Sequence, residues 1–312
     1  MIGDVAAIIC TRNGHSRGFL DEALNSVFKQ TVRPAEVIVV DDGSTDGTAA
    51  EVRRACPGVN VVSNCGSGLG AARNTGIKAA RSTWIAFLDD DDVWLPTKIA
   101  DQLAQVETCT HPERIIWGSK AAYIEKGGVP PIPEQNVPCL AVWPACLLRC
   151  SCRTSGAMFS QELFRKIGPF NESIAVGSAY DFWIRCFEVG IAMCMSANIL
   201  LYHRRGHPQM TSVSRAVSLQ VEGDTLLLPY LERIPPRVAS RIRAARQLTN
   251  LRGIAFHCGL SSAIEYWSKS PLRPVSYVFR SDAFIIADSA AAMSPLALGQ
   301  RLRALAVRLL NV

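Results

Sequence analysis

Residues 84–96 read WIAFLDDDDVWLP. A mostly apolar run, Trp84 to Leu88, passes directly into four aspartates, Asp89 to Asp92, and the chain then turns apolar again before Pro96. Short, continuously apolar runs of this kind are the pattern of strands buried on both faces. Four adjacent carboxylates repel one another, so solvent, a helix start or a bound cation has to make them tolerable. A helix dipole accounts for one or two acids in a first turn and hardly for four. Oxygen ligands at the end of a buried strand suit a hard cation, Mg2+ or Mn2+, which takes one or two carboxylates plus substrate phosphates. Asp89 and Asp91, spaced i and i+2, are the pair expected to turn into one crevice.

The sequence before the quartet alternates between strand and helix patterns. VAAIIC (5–10) precedes a helical stripe of Leu20, Leu24, Val27 and Phe28; EVIVV (36–40) then ends at Asp41 and Asp42. VNVV (59–62) and a helical GAARNTGIKAAR (70–81) lead to WIAFL (84–88). This order predicts an α/β fold with a mostly parallel central sheet flanked by helices. Ligands bind at the carboxyl ends of such strands, where both acidic clusters fall, so the clusters should converge on one crevice. The turn formers of VVDDGSTDGT can at the same time build a loop and cap a helix.

After the quartet, Pro96 suits the start of a helix running to about Cys109, followed by a strand in RIIWGSKAAYI and an irregular Gly/Pro-rich loop over 127–138. Globular patterning returns over 153–205, and beyond Ala216 the chain becomes helical and rich in alanine and arginine. Two regions are therefore expected, 1–215 around the acidic crevice and 216–312 as a helical C-terminal region.

The 312-residue chain is 48% hydrophobic and 19% charged, which suits a globular protein. The chain's net charge of +6 is modest and scattered, with no dense Lys/Arg run over the first 200 residues and without the clustered bases and stacking aromatics of a nucleic-acid face. No run approaches the roughly 18 to 20 apolar residues of a membrane span. A strand that starts almost at Met1, with no basic and apolar leader before it, gives a cytoplasmic expectation. Eleven cysteines, an odd number, are expected as reduced and mostly buried thiols; Cys139, Cys146, Cys150 and Cys152 cluster without zinc-type spacing. Gly66, Gly68 and Ala71 fit the dinucleotide fingerprint G-x-G-x-x-A, which makes an NAD-dependent oxidoreductase an alternative. The fingerprint belongs on the first strand-to-helix turn, however, and here it falls on the third.

A series of segments then carries a family resemblance: CTRNG (10–14), ALNSVFKQT (23–31), EVIVVDDGSTDGT (36–48), GAARNTGI (70–77), WIAFLDDDDVWLPTKI (84–99), SGAMFSQELFRKIGPFNES (155–173), YDFWIRCFEVG (180–190) and YHRRGHPQMTS (202–212). In this order they resemble family 2 glycosyltransferases of the GT-A fold. The resemblance implies an inverting transfer from a nucleotide-sugar donor, usually a UDP-sugar, to a hydroxyl of a saccharide or lipid-linked acceptor, assisted by Mn2+ or Mg2+. Polysaccharide or glycolipid synthesis is the usual setting. It also implies roles: Thr11 against the nucleotide, Asp42 on the base, Arg73 toward the nucleotide or its phosphates, Asp89 on the ribose and Asp91 on the metal. His207, with Arg204 or Arg205, would close over the donor diphosphate.

One position departs from the family. Where members commonly read E-D-x-D-L-W-L-R, this chain has SAYDFWIR, which puts Ala179 at the usual base. Asp181 is the first candidate for a replacement and Glu172 the second, and an inactive nucleotide-sugar-binding homologue stays open. Arg185, four residues after Asp181, offers that acid a structural partner. In the tail, Leu298, Leu302, Leu305 and Leu309 form a helical stripe flanked by Arg301, Arg303 and Arg308. The stripe suits packing on protein, or peripheral contact with an anionic membrane at the inner face of the plasma membrane.

Overall fold

A computed structural model of the chain describes residues 2–125, 131–133, 141–148, 152–205 and 215–272. His207, Cys139, Cys150 and the leucine stripe of the tail lie outside the described residues. The chain forms two compact units, Met1–Pro208 and Gln209–Val312.

The strands of the first unit are β1 (Ile2–Thr11), β2 (Arg33–Asp41), β3 (Asn60–Ser63), β4 (Trp84–Asp89), β5 (Val93–Trp94), β6 (Ile115–Ile124), β7 (Ile132–Pro133), β8 (Met158–Ser160) and β9 (Ala192–Arg204). They form one sheet in the order β3-β2-β1-β4-β8-β6-β9-β5, with β7 paired to β6. The helices are α1 (Gly14–Arg17), α2 (Leu20–Phe28), α3 (Thr48–Ala55), α4 (Gly68–Ala79), α5 (Lys98–Glu107), α6 (Gln161–Ile167) and α7 (Ser178–Glu188). The first four strands in chain order are parallel, as their apolar runs predict. Beyond β4 the sheet is mixed, because β8 runs antiparallel to both β4 and β6 while β6 and β9 are parallel.

Both faces of β1 are covered, which is why VAAIIC shows no polar alternation. Val5, Ala7 and Ile9 pack with Leu20, Ala23, Leu24 and Val27 of α2 and Ile99 of α5. On the opposite face Ile8 meets α4 at Gly76, where a Cβ would stand 2.5 Å from Ile8 Cγ2, so the helix can come this close only without a side chain. Phe87 of β4 continues that face into a ring cluster with Phe159, Phe170, Phe182 and Trp183. Phe170 and Phe182 are stacked with centroids 4.5 Å apart.

Lys98 is the anomaly of this core. It is fully buried, its ammonium has no hydrogen-bond partner among the described residues, and it sits 4.0 Å from the centre of the Trp94 ring. Burial lowers its pKa well below the usual ammonium value, and the ring face offsets only part of that cost. A lysine lowered in the folded state gives its full stability only above the unfolded value of about 10.4, and loses it as pH falls toward the folded value. Lys98→Met is therefore expected to raise the melting temperature at neutral pH, by the equivalent of about 1–3 kcal/mol. Thermal melts at increasing pH should show the difference from wild type closing toward about pH 10; a constant difference would refute the burial argument.

The second unit contains α8 (Ala216–Leu231), α9 (Pro236–Cys258) and α10 (Leu260–Lys269). Ile254, Ala263 and Tyr266 form its small apolar core. Asp224, fully buried, is satisfied by Arg246 Nε at 2.9 Å, Asn250 Nδ2 at 3.2 Å, Tyr266 Oη at 2.5 Å and Ser270 Oγ at 2.8 Å. Four donors on one carboxylate tie the three helices and the residues after them together. No helix among the described residues is long and apolar enough to cross a membrane.

Candidate functional site

Register brings the two acidic clusters together. Thr11 pairs with Asp41 across β1 and β2, Cys10 with Asp89 across β1 and β4, and Asp41 with Ser63 across β2 and β3. Four parallel strands thus end level with one another, and the loops that leave them share one edge of the sheet. Asn13, in the left-handed region at φ 54°, knits two of these loops. Its N–H donates to Ser44 Oγ at 2.8 Å and its Oδ1 accepts the Thr45 N–H at 2.8 Å.

Asp42 is held from one side. Its carboxylate accepts Asn64 Nδ2 at 2.6 Å and the Gly68 N–H at 3.1 Å, at the start of α4. Asn64 is itself oriented, because its Oδ1 accepts Thr75 Oγ at 3.1 Å and the Gly66 N–H at 3.2 Å. This arrangement answers the dinucleotide fingerprint: the Gly68 N–H, which would face a pyrophosphate in such a site, is taken up by Asp42. Asn64 carries no motif signal of its own, which is why sequence reading passes over it.

The quartet divides by parity. Asp90 and Asp92 are buried, whereas Asp89 and Asp91 keep part of their surface exposed. Asp90 accepts Thr11 Oγ at 2.5 Å and pairs with Arg17, so the Thr11 side chain is directed at the quartet's second member. Asp92 accepts the Arg204 N–H at 3.1 Å and lies 3.1 Å from His203 Nδ1. Asp89 is met by Arg73 Nη2 at 3.4 Å, and its N–H donates to Ser155 Oγ at 3.1 Å. Arg73 itself is buried, with its guanidinium 5.9 Å from the Phe87 ring and 5.8 Å from the Phe170 ring.

Negative charge is disfavoured on Asp91. Burial pushes its carboxyl up to about 8, and Asp89, Asp92 and Asp90 each add to the rise. A divalent cation reverses that balance by favouring the ionised form. Among the described residues no three Asp, Glu, His or Cys side chains gather as a closed metal cage. An edge of one or two hard carboxylates is what a cation sharing its sphere with phosphate oxygens requires, so the donor set fits Mg2+ or Mn2+.

Asp181 and Glu172 are arranged differently. Asp181 on α7 is 7% exposed, and its Oδ2 accepts Arg185 Nε at 3.0 Å. Arg185 also donates to the carbonyls of Ile167 at 2.9 Å and Pro169 at 2.8 Å, so the pair fastens α7 to the chain after α6. Glu172 is exposed, and its Oε1 accepts Asn74 Nδ2 at 2.8 Å. Asn74 on α4 also exchanges 2.9 Å bonds with the main chain of Phe170, through its Nδ2 and its Oδ1. The Glu172 Oε2 lies over Gly66, 3.2 Å from where a Cβ would be. Gly70 abuts the Asn171 carbonyl and the Ser178 side chain, so α4 places Glu172 and the first turn of α7 together. Of the basic pair at the end of β9, Arg204 turns inward while the Arg205 guanidinium lies 3.1 Å from the centre of the Tyr123 ring.

The sequence model described as glycosyl transferase family 2 matches residues 6–168, which include every strand end named above. The chain belongs to glycosyl transferase family 2. An uncharacterized glycosyltransferase of Rickettsia conorii is 29% identical over 196 residues, covering 59% of this chain and 31% of that protein, so the chain spans under a third of its length. The Escherichia coli UDP-Glc:alpha-D-GlcNAc-diphosphoundecaprenol beta-1,3-glucosyltransferase WfaP is 27% identical over 211 residues, covering 65% of this chain and 78% of WfaP. Among solved structures, residues 1–349 of S. aureus TarS superpose with a TM-score of 0.57 at 19% identity, covering 82% of this chain and 74% of that one. The TarS complex with UDP-GlcNAc gives 0.54 at 17% identity, over 84% of this chain and 88% of that one. At that identity the likeness speaks for the fold. The family-2 fold and the occupied Gly68 N–H together remove the oxidoreductase alternative.

Proposed function

We propose that this glycosyl transferase family 2 chain transfers a sugar from a UDP-sugar to an acceptor hydroxyl with inversion, using Mn2+ or Mg2+. The observation that carries the reading is the level ending of β1, β2 and β4, which sets Asp42, held by Asn64 and Gly68, on one sheet edge with Asp89 and Asp91. In this reading Asp42 accepts from the base, Asp89 and Arg73 border the ribose and phosphates, and Asp91 holds the cation. Bound there, the cation would act as a Lewis acid on the leaving diphosphate. The donor named in WfaP and the ligand of the TarS complex both support uridine. The lipid-diphosphate acceptor in the name of WfaP supports a saccharide or lipid-linked acceptor, and the proposal has the two meet in the cytoplasm at the inner face of the plasma membrane. His207 closing over the diphosphate and the tail stripe on the membrane belong to the same proposal.

An acceptor hydroxyl needs a base within hydrogen-bond reach. Of the two candidates, Glu172 is exposed beside the start of α7 and is held on one oxygen, leaving Oε2 to take the proton. Asp181 is buried and paired, which suits holding α7 in place. The direct test is calorimetric titration of UDP with and without Mn2+, followed by a screen of UDP-sugars for release of free UDP. UDP affinity indifferent to Mn2+ would overturn the metal assignment, and preference for another nucleotide the donor assignment.

A further inference from the structure

Arg204 is the last residue of β9 and touches the acidic turn in two ways and α2 in a third. Its N–H donates to Asp92 Oδ1 at 3.1 Å, its Nε donates to the Asp91 carbonyl at 2.9 Å, and its Nη2 pairs with Glu22 of α2. The guanidinium also lies 4.6 Å from the centre of the Phe19 ring, just before α2. The residue is 7% exposed, whereas the Glu22 side chain is 55% exposed. The turn it meets is closed by Asp92 N–H to the Asp89 carbonyl at 3.0 Å, and leads into β5, which pairs with β9 through Val93–Tyr202 and Trp94–Leu201.

We propose that Arg204 is a positioning residue for the acidic turn: by holding the Asp91 carbonyl it sets the plane of the Asp91–Asp92 peptide, and with it the direction in which the Asp91 carboxylate is presented. The metal role of Asp91 in this inference rests on the function proposed above; the fixing of the turn does not. Only a planar fork can do this from one side chain, donating through Nε to a carbonyl and through Nη2 to a carboxylate while its face lies on a ring. A lysine ammonium keeps the charge and reaches one of these partners at a time. Arg204 also introduces a positive charge beside four carboxylates, and its side chain meets the Asp91 main chain, Glu22 and Phe19.

The experiment uses the full chain with Arg204→Lys and, as a second probe that leaves the buried arginine in place, Glu22→Gln. In metal-free protein, hydrogen exchange at the Asp91 and Asp92 amides is expected to quicken about tenfold in Arg204→Lys, with β1 amides unchanged. In calorimetry, the gain in UDP affinity on adding Mn2+ is expected to fall about tenfold, with metal-free UDP affinity kept; Glu22→Gln should move both in the same direction by a smaller factor. Unchanged exchange at the turn in Arg204→Lys overturns the inference. Wild-type protein with no Mn2+ gain overturns the metal reading instead, while the exchange measurement still decides whether Arg204 fixes the turn.

Discussion

Asp91→Asn is expected to remove the Mn2+-dependent part of UDP binding and to lower sugar transfer by about three orders of magnitude. The substitution keeps the size of the side chain and deletes its charge, so the fold of the turn, which rests on Asp90, Asp92 and Arg204, should stay. The carboxyl at this position is pushed up to about 8 by burial and its three neighbours, and its neutral amide replacement relieves that repulsion. Melting temperature should therefore hold or rise while the metal effect disappears. That opposite movement of stability and activity separates a ligand from a structural acid. Asp90→Asn gives the contrast: it weakens the bonds to Thr11 and Arg17, and its main effect should be on stability.

The second large effect is expected at the acceptor. Glu172→Gln should lower turnover by about 10²- to 10⁴-fold while leaving UDP affinity within a small factor, because a general base acts only when the hydroxyl proton leaves. The amide can still accept from Asn74, so the chain after α6 keeps its place. Asp181→Asn should do the reverse, costing stability through the loss of a buried ion pair and leaving turnover nearly intact in what remains folded. Steady-state turnover with a responsive acceptor, measured beside thermal melts for both variants, decides between them. A turnover loss confined to Asp181→Asn would hand the base role to Asp181.

Much of the acidic sheet edge is legible in the sequence. Apolar runs without alternation announce β1, β2 and β4, and the acids at their ends announce a shared acidic edge, because the period of a strand buried on both faces and the polarity of its end are local properties. The parity of the quartet was only half legible. Four identical letters differ in what reaches them from Thr11, Arg17, His203 and Arg204, and those contacts span separations of about 70 to 110 residues that no local pattern records. The same limit applies to the antiparallel β8, whose three residues carry no period. Arg204 and Arg205 are neighbours of one type, and only the pairing of β9 with β6 and β5 sends one inward and the other onto Tyr123. Asn74 stood inside a segment that pointed to Arg73, and its grip on residues 170 and 172 became visible only when α4 was placed beside them.

The acids of the sheet edge and Glu172 are anchored by different amounts of structure, and this bears on how such a chain diverges. Asp42 and Asp89 inherit their positions from the register of a four-stranded ladder, and a slip of one residue would turn every buried side chain of a strand to the wrong face. Glu172 is anchored through one asparagine, Asn74, which ties its carboxylate and the Phe170 main chain to α4. On the function proposed above, descendants of this sequence can exchange the acceptor they recognise by rewriting a few loop residues around Asn74, while a change of nucleotide would require rebuilding the sheet edge that the whole core supports.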